Sequence, residues 1–125
     1  MEYISGEGTN IRGAFMADDC LFCKIFKKEI PSKAVFEDDR VYGFYDIKPL
    51  APIHVLFIPK KHIPTVADLP TGDDTVAVLA DRANRVAKEL GLAERGYRLM
   101  VNCGPEGGQV VYHLHLHLLG GKPMK

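Results

Sequence analysis

His113, His115 and His117 alternate strictly with Leu114, Leu116 and Leu118 in a run that closes on Leu119. Alternation is the period of a β-strand, so the three imidazoles share one face and the leucines point to the other, toward a core. A single histidine on a strand is ordinarily just solvated. Three in register, with leucine in every gap, point to chemistry. Same-face neighbours on a strand lie about 7 Å apart and the outer pair about 13 Å apart. Zinc–nitrogen bonds are only about 2.1 Å long, so one ion cannot take all three rings. Each histidine therefore has its own task along a bound substrate. The preceding loop, with Gly104, Gly107 and Gly108, lets backbone N–H groups approach an anion, and such loops favour phosphate. Asn102 and Gln109 add neutral side-chain donors. With an ordinary pKa of about 6.5, a neutral imidazole is a competent nucleophile toward phosphorus. A second ring, as imidazolium, stabilises phosphoryl oxygens or protonates a leaving group. Phosphorus chemistry is the reading these residues favour.

Cys20-Leu21-Phe22-Cys23 is a Cys-x-x-Cys, a spacing that suits a metal but at a helix start equally suits two small buried residues. Cys103 reads as a plain small residue. An odd count of three cysteines argues for reduced thiols and a cytoplasmic location. Sixteen Lys+Arg balance sixteen Asp+Glu, so the chain has no broad electrostatic footprint for nucleic acid or anionic membrane. No apolar run approaches the roughly 20 residues that span a bilayer. At 125 residues the chain has room for one domain.

The elements that must position the histidines follow from periodicity. Residues 1–15, glycine-rich and without an apolar stretch, read as a flexible extension rather than a secretory signal, leaving a domain over 16–125. Asp18 and Asp19 are candidate caps for a helix over 20–28, with Leu21, Phe22, Ile25 and Phe26 on its apolar face. Strands are predicted over 34–37, 40–46 and 54–58, the last nearly all apolar and so central. Two prolines keep 47–52 in a loop. Asp73 or Asp74 caps a long helix carrying Val76, Leu79, Ala83, Val86 and Leu90 at 3–4 spacing, and Gly91 ends it. Strands over 97–102 and 110–119 complete an α+β fold, a five-stranded antiparallel sheet with two helices on one face.

The His-x-His-x-His-x-x run with apolar gaps resembles the signature of the histidine-triad (HIT) superfamily. The similarity runs from about Asp19 to Met124 and includes Asp46-Ile47, His54, Ile58-Pro59-Lys60-Lys61-His62-Ile63 and Gly107-Gly108-Gln109, which look like the Hint branch of purine nucleoside phosphoramidases. The resemblance implies hydrolysis of purine nucleoside 5′-phosphoramidates through a covalent nucleotidyl-His115. His54, His113, His115 and His117 form the catalytic set, with His54 in a proton relay. It places the α-phosphate among His117, Asn102 and the backbone of Gly108, Gln109 and Val110. The ribose falls at Asp46 beside Ile47, and the base among Leu21, Phe22, Ile25, Phe44 and Tyr45. It pairs Cys20 and Cys23 with His62 and His113 as a structural zinc site, and requires no cofactor for the reaction. Two copies are expected to pair through the helix face of Val76, Leu79, Ala83 and Val86 and the strand over 97–101, which carry more apolar surface than one small sheet needs. The chain departs from the branch at Val110, where a Ser or Thr is usual, and in its short segment after Gly121. Dinucleoside polyphosphate hydrolysis uses the same residues, and a zinc-containing nucleotide-binding scaffold is the reading outside enzymology.

Overall fold

The computed structural model describes residues 19–124; the extension read over 1–15 lies outside the described residues. Helix α1 spans Leu21–Phe26, followed by β1 (Ala34–Glu37), β2 (Val41–Tyr45) and β3 (Ile53–Pro59). After a 3-10 turn at Val66–Asp68 come helix α2 (Thr75–Glu89), β4 (Arg98–Met100) and β5 (Leu116–Gly120). The five strands form one antiparallel sheet in the order β1-β2-β3-β5-β4. The α+β class and the central place of β3 are as the sequence implies.

Strand alternation splits the sheet into two faces. Val41 of β2, Val55 and Phe57 of β3, and Leu116 and Leu118 of β5 meet Leu79, Ala83, Val86 and Ala87 of α2. Tyr42, Phe44, Leu56 and Ile58 meet Cys20, Phe22, Cys23 and Ile25 around α1. The helices therefore cover opposite faces of the sheet, not one face. Leu79, Ala83 and Val86 are wholly buried in the chain's own core, so the surplus apolar helix face read from the sequence is absorbed within one copy.

Helix ends are set locally. The cap of α1 is Cys20, one position past Asp19, and its Sγ accepts the Cys23 N–H at 3.3 Å. Asp74 occupies the cap position of α2 but its carboxylate pairs with Arg40 rather than capping the helix, while Asp73 Oδ1 takes the Thr75 N–H at 2.7 Å. Gly91, at φ 79°, turns the chain left-handed after α2 and lets the Leu92 N–H reach Ala87 O at 2.8 Å.

The largest difference from expectation is in the last strand. Only Leu116–Gly120 joins the ladder, and residues 110–115 are bent or irregular. Leu114 N–H leaves the sheet's pattern to bond Ile63 O at 2.7 Å. The leucines still alternate into the α2-side core, because alternation needs an extended backbone but not a paired one. Leu118 is fully buried there. Leu118→Ala should cost about 2–5 kcal/mol of unfolding free energy in chemical denaturation; a loss below about 1 kcal/mol would contradict its place at the centre of that core.

Candidate active site

The same alternation that fills one core brings three histidines to the α1 face. In the β3–β5 register His54 pairs with Leu119 and Leu56 with His117, so His54 and His117 are diagonal neighbours. Their rings meet with His54 Nε2 2.9 Å from His117 Nδ1. His115 lies just before β5, its ring 4.9 Å from that of His117. The edge of Phe22 from α1 closes on His115 at 5.1 Å between centroids. All three imidazoles are nearly buried, and His115 is no surface residue.

Hydrogen bonds fix how His115 is presented. Its Nδ1 lies 2.7 Å from the main-chain oxygen of His113. A carbonyl only accepts, so Nδ1 carries the proton and Nε2 of the neutral ring holds the lone pair. That Nε2 has no hydrogen-bond partner among the described residues. On the neighbouring ring, His117 Nε2 is the one buried side-chain polar atom among the described residues with no partner. An imidazole lone pair and an unpartnered polar atom on neighbouring rings are the groups here that can engage a ligand.

Burial holds these rings neutral. It pushes His117 down to about 4, with the neighbouring His115 and His54 adding to the shift against the pull of Asp46. Burial likewise lowers His115 and His54, opposed at His54 by the Asp46 carboxylate, whose Oδ2 lies 3.6 Å from His54 Nε2. The second ring of the sequence reading is thus a neutral hydrogen-bonding imidazole in the free protein, not an imidazolium.

The glycine loop is more committed than its sequence suggests. Gly108 N–H bonds Pro105 O at 3.1 Å and Gln109 N–H bonds Gly104 O at 3.0 Å, so of the three backbone donors expected at the phosphate only the Val110 N–H is uncommitted among the described residues. The Gln109 side chain is buried scaffolding: its oxygen accepts the Gly104 N–H, and its nitrogen donates to Pro64 O and Val111 O. Asn102 lies beside Gly108, whose φ of 85° is the left-handed conformation that favours glycine.

Of the residues assigned to the base, Phe22, Ile25 and Phe44 are buried together under α1, and Leu21 packs at their margin. Ile47 is 91% exposed beside Asp46. Tyr45 does not join them. Neighbouring residues on a strand face opposite ways, so Phe44 points to α1 while Tyr45 packs against the α2-side core under Lys33.

His113 belongs to a second cluster. Its Nδ1 lies 3.2 Å from Cys20 Sγ, 3.5 Å from Cys23 Sγ and 3.3 Å from His62 Nδ1, while Cys23 Sγ is 3.4 Å from His62 Nδ1. Around a tetrahedral zinc, nitrogens stand about 3.3 Å apart and a nitrogen and a sulfur about 3.6 Å apart. The four donors are thus already spaced as the corners of one coordination tetrahedron. His113 Nε2–H donates to Pro59 O at 2.7 Å, which turns its Nδ1 lone pair into the cluster. Burial and the neighbouring Cys20 push the Cys23 thiol up to about 12, and a bound cation would favour the thiolate over the thiol. Asp46, His54 and His117 also converge, but at 2.9 Å the two rings share a proton rather than an ion.

Fold and site together define a small α+β protein that presents an imidazole lone pair to a ligand beside a glycine-turned loop. The chain belongs to the HIT domain family, whose model matches residues 27–124. It is 46% identical over 110 residues to the purine nucleoside phosphoramidase of Escherichia coli (strain K12), covering 87% of this chain and 92% of that one. A HIT family hydrolase from Legionella pneumophila Philadelphia 1 has 52% identity and a TM-score of 0.82, covering 85% of this chain and 96% of the other. A zinc-bound histidine triad family protein from Mycobacterium smegmatis has 34% identity and a TM-score of 0.75, covering 86% and 78%. Among the described residues no helix is long and apolar enough to cross a membrane.

The buried neutral rings give a sign to the pH dependence of stability. His54 and His117 bind a proton less readily folded than unfolded, so their contribution is complete above the ordinary value of 6.5 and is lost as pH falls toward 4. Calorimetry should show the melting temperature declining across that window, and declining less in the His54→Gln, His117→Gln double variant. An equal decline in both proteins would contradict the burial argument.

Proposed function

We propose that the chain is a nucleoside phosphoramidase that hydrolyses purine nucleoside 5′-phosphoramidates through a nucleotidyl-His115 intermediate. One observation carries this reading: the ring of His115, unprotonated at Nε2, packs 4.9 Å between centroids from the ring of His117, whose buried Nε2 has no partner. The similarity to a purine nucleoside phosphoramidase supports the choice of substrate.

His115 Nε2 attacks phosphorus, and the P–N bond breaks as the amine takes a proton and leaves. The ring, substituted at Nε2 and still protonated at Nδ1, becomes cationic, and the His113 carbonyl already faces that N–H. Water then attacks phosphorus, a proton is released, and the nucleoside monophosphate departs from His115. His117 Nε2, the Asn102 amide and the Val110 N–H hold the phosphoryl oxygens. Val110 contributes only its backbone there. Asp46 receives the ribose hydroxyls; one of its oxygens already accepts the Lys48 N–H at 2.9 Å and holds the carboxylate in place. The base lies against Leu21 and the exposed Ile47, above Phe22, Ile25 and Phe44.

The test is turnover of an adenosine 5′-phosphoramidate against a diadenosine polyphosphate. Faster release of the amine supports the proposal; faster cleavage of the polyphosphate overturns it in favour of the dinucleotide reading. His115→Ala should still bind AMP by calorimetry while its rate falls by about a thousandfold or more. Retention of more than about a tenth of the rate would remove His115 as nucleophile.

Zinc is the cation this donor set fits, since two thiolates and two imidazoles make a closed tetrahedral structural site. Bound there it ties α1 to the segment before β5 and takes no part in the reaction. Purified protein should hold one zinc per chain by elemental analysis, lost in Cys20→Ser and Cys23→Ser with a lower melting temperature. Metal-free protein prepared without chelators would show that both cysteines only pack.

The chain works as a homodimer in a reducing, cytoplasm-like compartment, with a purine nucleotide as its small-molecule partner and no role for nucleic acid or membrane. Three free cysteines support the compartment. The open edge of β4, with Leu99 36% exposed, supports pairing of two sheets there. Sedimentation at micromolar concentration should give twice the 13.9 kDa chain mass, and a purely monomeric species would overturn the pairing.

A further inference from the structure

We propose that the main-chain N–H of Leu50 sets the protonation of the His54–His117 relay, which makes the loop after β2 a positioning element for the reaction. The catalytic half of this inference rests on the proposed phosphoramidase reading; the tautomer half does not.

The argument starts from a group that has no choice. A backbone N–H can only donate, and that of Leu50 lies 3.0 Å from His54 Nδ1. His54 Nδ1 is therefore the unprotonated nitrogen, and the proton of this buried ring is on Nε2. That Nε2 is 2.9 Å from His117 Nδ1, a gap with room for one proton. His117 Nδ1 must accept, so the proton of His117 sits on Nε2, the buried atom without a partner that the proposed reaction turns to the phosphoryl group. Donation thus runs one way, from the Leu50 amide through two rings to the phosphoryl oxygen. Reversing either tautomer would point a lone pair at the phosphate and repel it.

The loop geometry delivers that N–H. Asp46 N–H bonds His54 O at 3.0 Å, which ties the start of the loop to the strand that follows it. Asp46 Oδ1 accepts the Lys48 N–H at 2.9 Å and turns the chain back. Pro49 and Pro52 stiffen the remainder. The Leu50 side chain is 65% exposed and packs into no core, so its backbone is what the site uses. The Asp46 carboxylate, 3.6 Å from His54 Nε2, favours a proton at that nitrogen and reinforces the same tautomer.

The test is the nitrogen-15 spectrum of the histidine rings in the intact wild-type protein, with Leu50→Pro and Leu50→Ala as variants. Wild type should show pyrrole-type nitrogen at Nε2 and pyridine-type nitrogen at Nδ1 for both His54 and His117. Leu50→Ala reports the share of the side chain alone; Leu50→Pro also deletes the N–H. The kcat of Leu50→Pro should fall at least about tenfold below that of Leu50→Ala. KM should change little, and the His54 signals should show mixed tautomers. A proton on His54 Nδ1 in wild type overturns the inference without recourse to any variant that fails to fold. Equal kcat and equal spectra in the two variants also overturn it. Absence of phosphoramidate turnover with the wild-type tautomers as stated would defeat the functional reading while leaving the Leu50 assignment intact.

Discussion

The hydrogen bond from His115 Nδ1 to the His113 carbonyl is the constraint on which the rest of the site depends. It exists only because residues 113–115 leave the sheet ladder; in a regular paired strand that carbonyl would serve a neighbouring strand. Through this bond one residue works for two centres. The ring of His113 is a corner of the Cys20, Cys23 and His62 cluster, and its backbone orients the ring of His115, the proposed nucleophile. Pairing of 113–115 would bring a longer ladder but a misdirected His115.

The two faces of the sheet divide the labour. The α2 face is a dry apolar core built from Leu114, Leu116 and Leu118 against Leu79, Ala83 and Val86, and it fixes the position of the backbone that carries the histidines. The α1 face is mixed, with aromatic rings around polar groups that each need a partner. Burial there lowers the histidines, and neutrality is what the site requires. A protonated His115 has no lone pair to offer, and a protonated His54–His117 pair would put two cationic rings in contact. Phe22 keeps water from the same ring whose neutrality its burial helps to maintain.

Much of this was legible in the residues. The alternation of histidine and leucine predicted which side chains face the core, and all three leucines are there. The spacing argument separates the three histidines, and the structure places His113 with Cys20, Cys23 and His62, and His115 with His117. What was not legible depended on long-range partners. Nothing local marks residues 110–115 as unpaired, because an extended segment has the same side-chain period on or off the ladder. The apolar stripe of α2 looked like surplus surface until β3 and β5 were laid against it. Gln109 looked like a ligand donor because its partners, Pro64 and Val111, become neighbours only in the folded loop. The family resemblance groups Tyr45 with Phe44 at the base, whereas a strand puts adjacent residues on opposite faces. Leu50 carried no signal at all, since its contribution is a backbone N–H that every residue except proline possesses.

The account stands on His115 forming a bond to phosphorus, and the direct measurement is rapid quenching of wild-type protein during turnover of an adenosine 5′-phosphoramidate, followed by mass spectrometry of the peptides. The account predicts a transient adenylyl adduct on the peptide containing residues 113–117, located on His115 and absent in His115→Ala. An adduct on another residue, or full turnover with no adduct at any time, would contradict it.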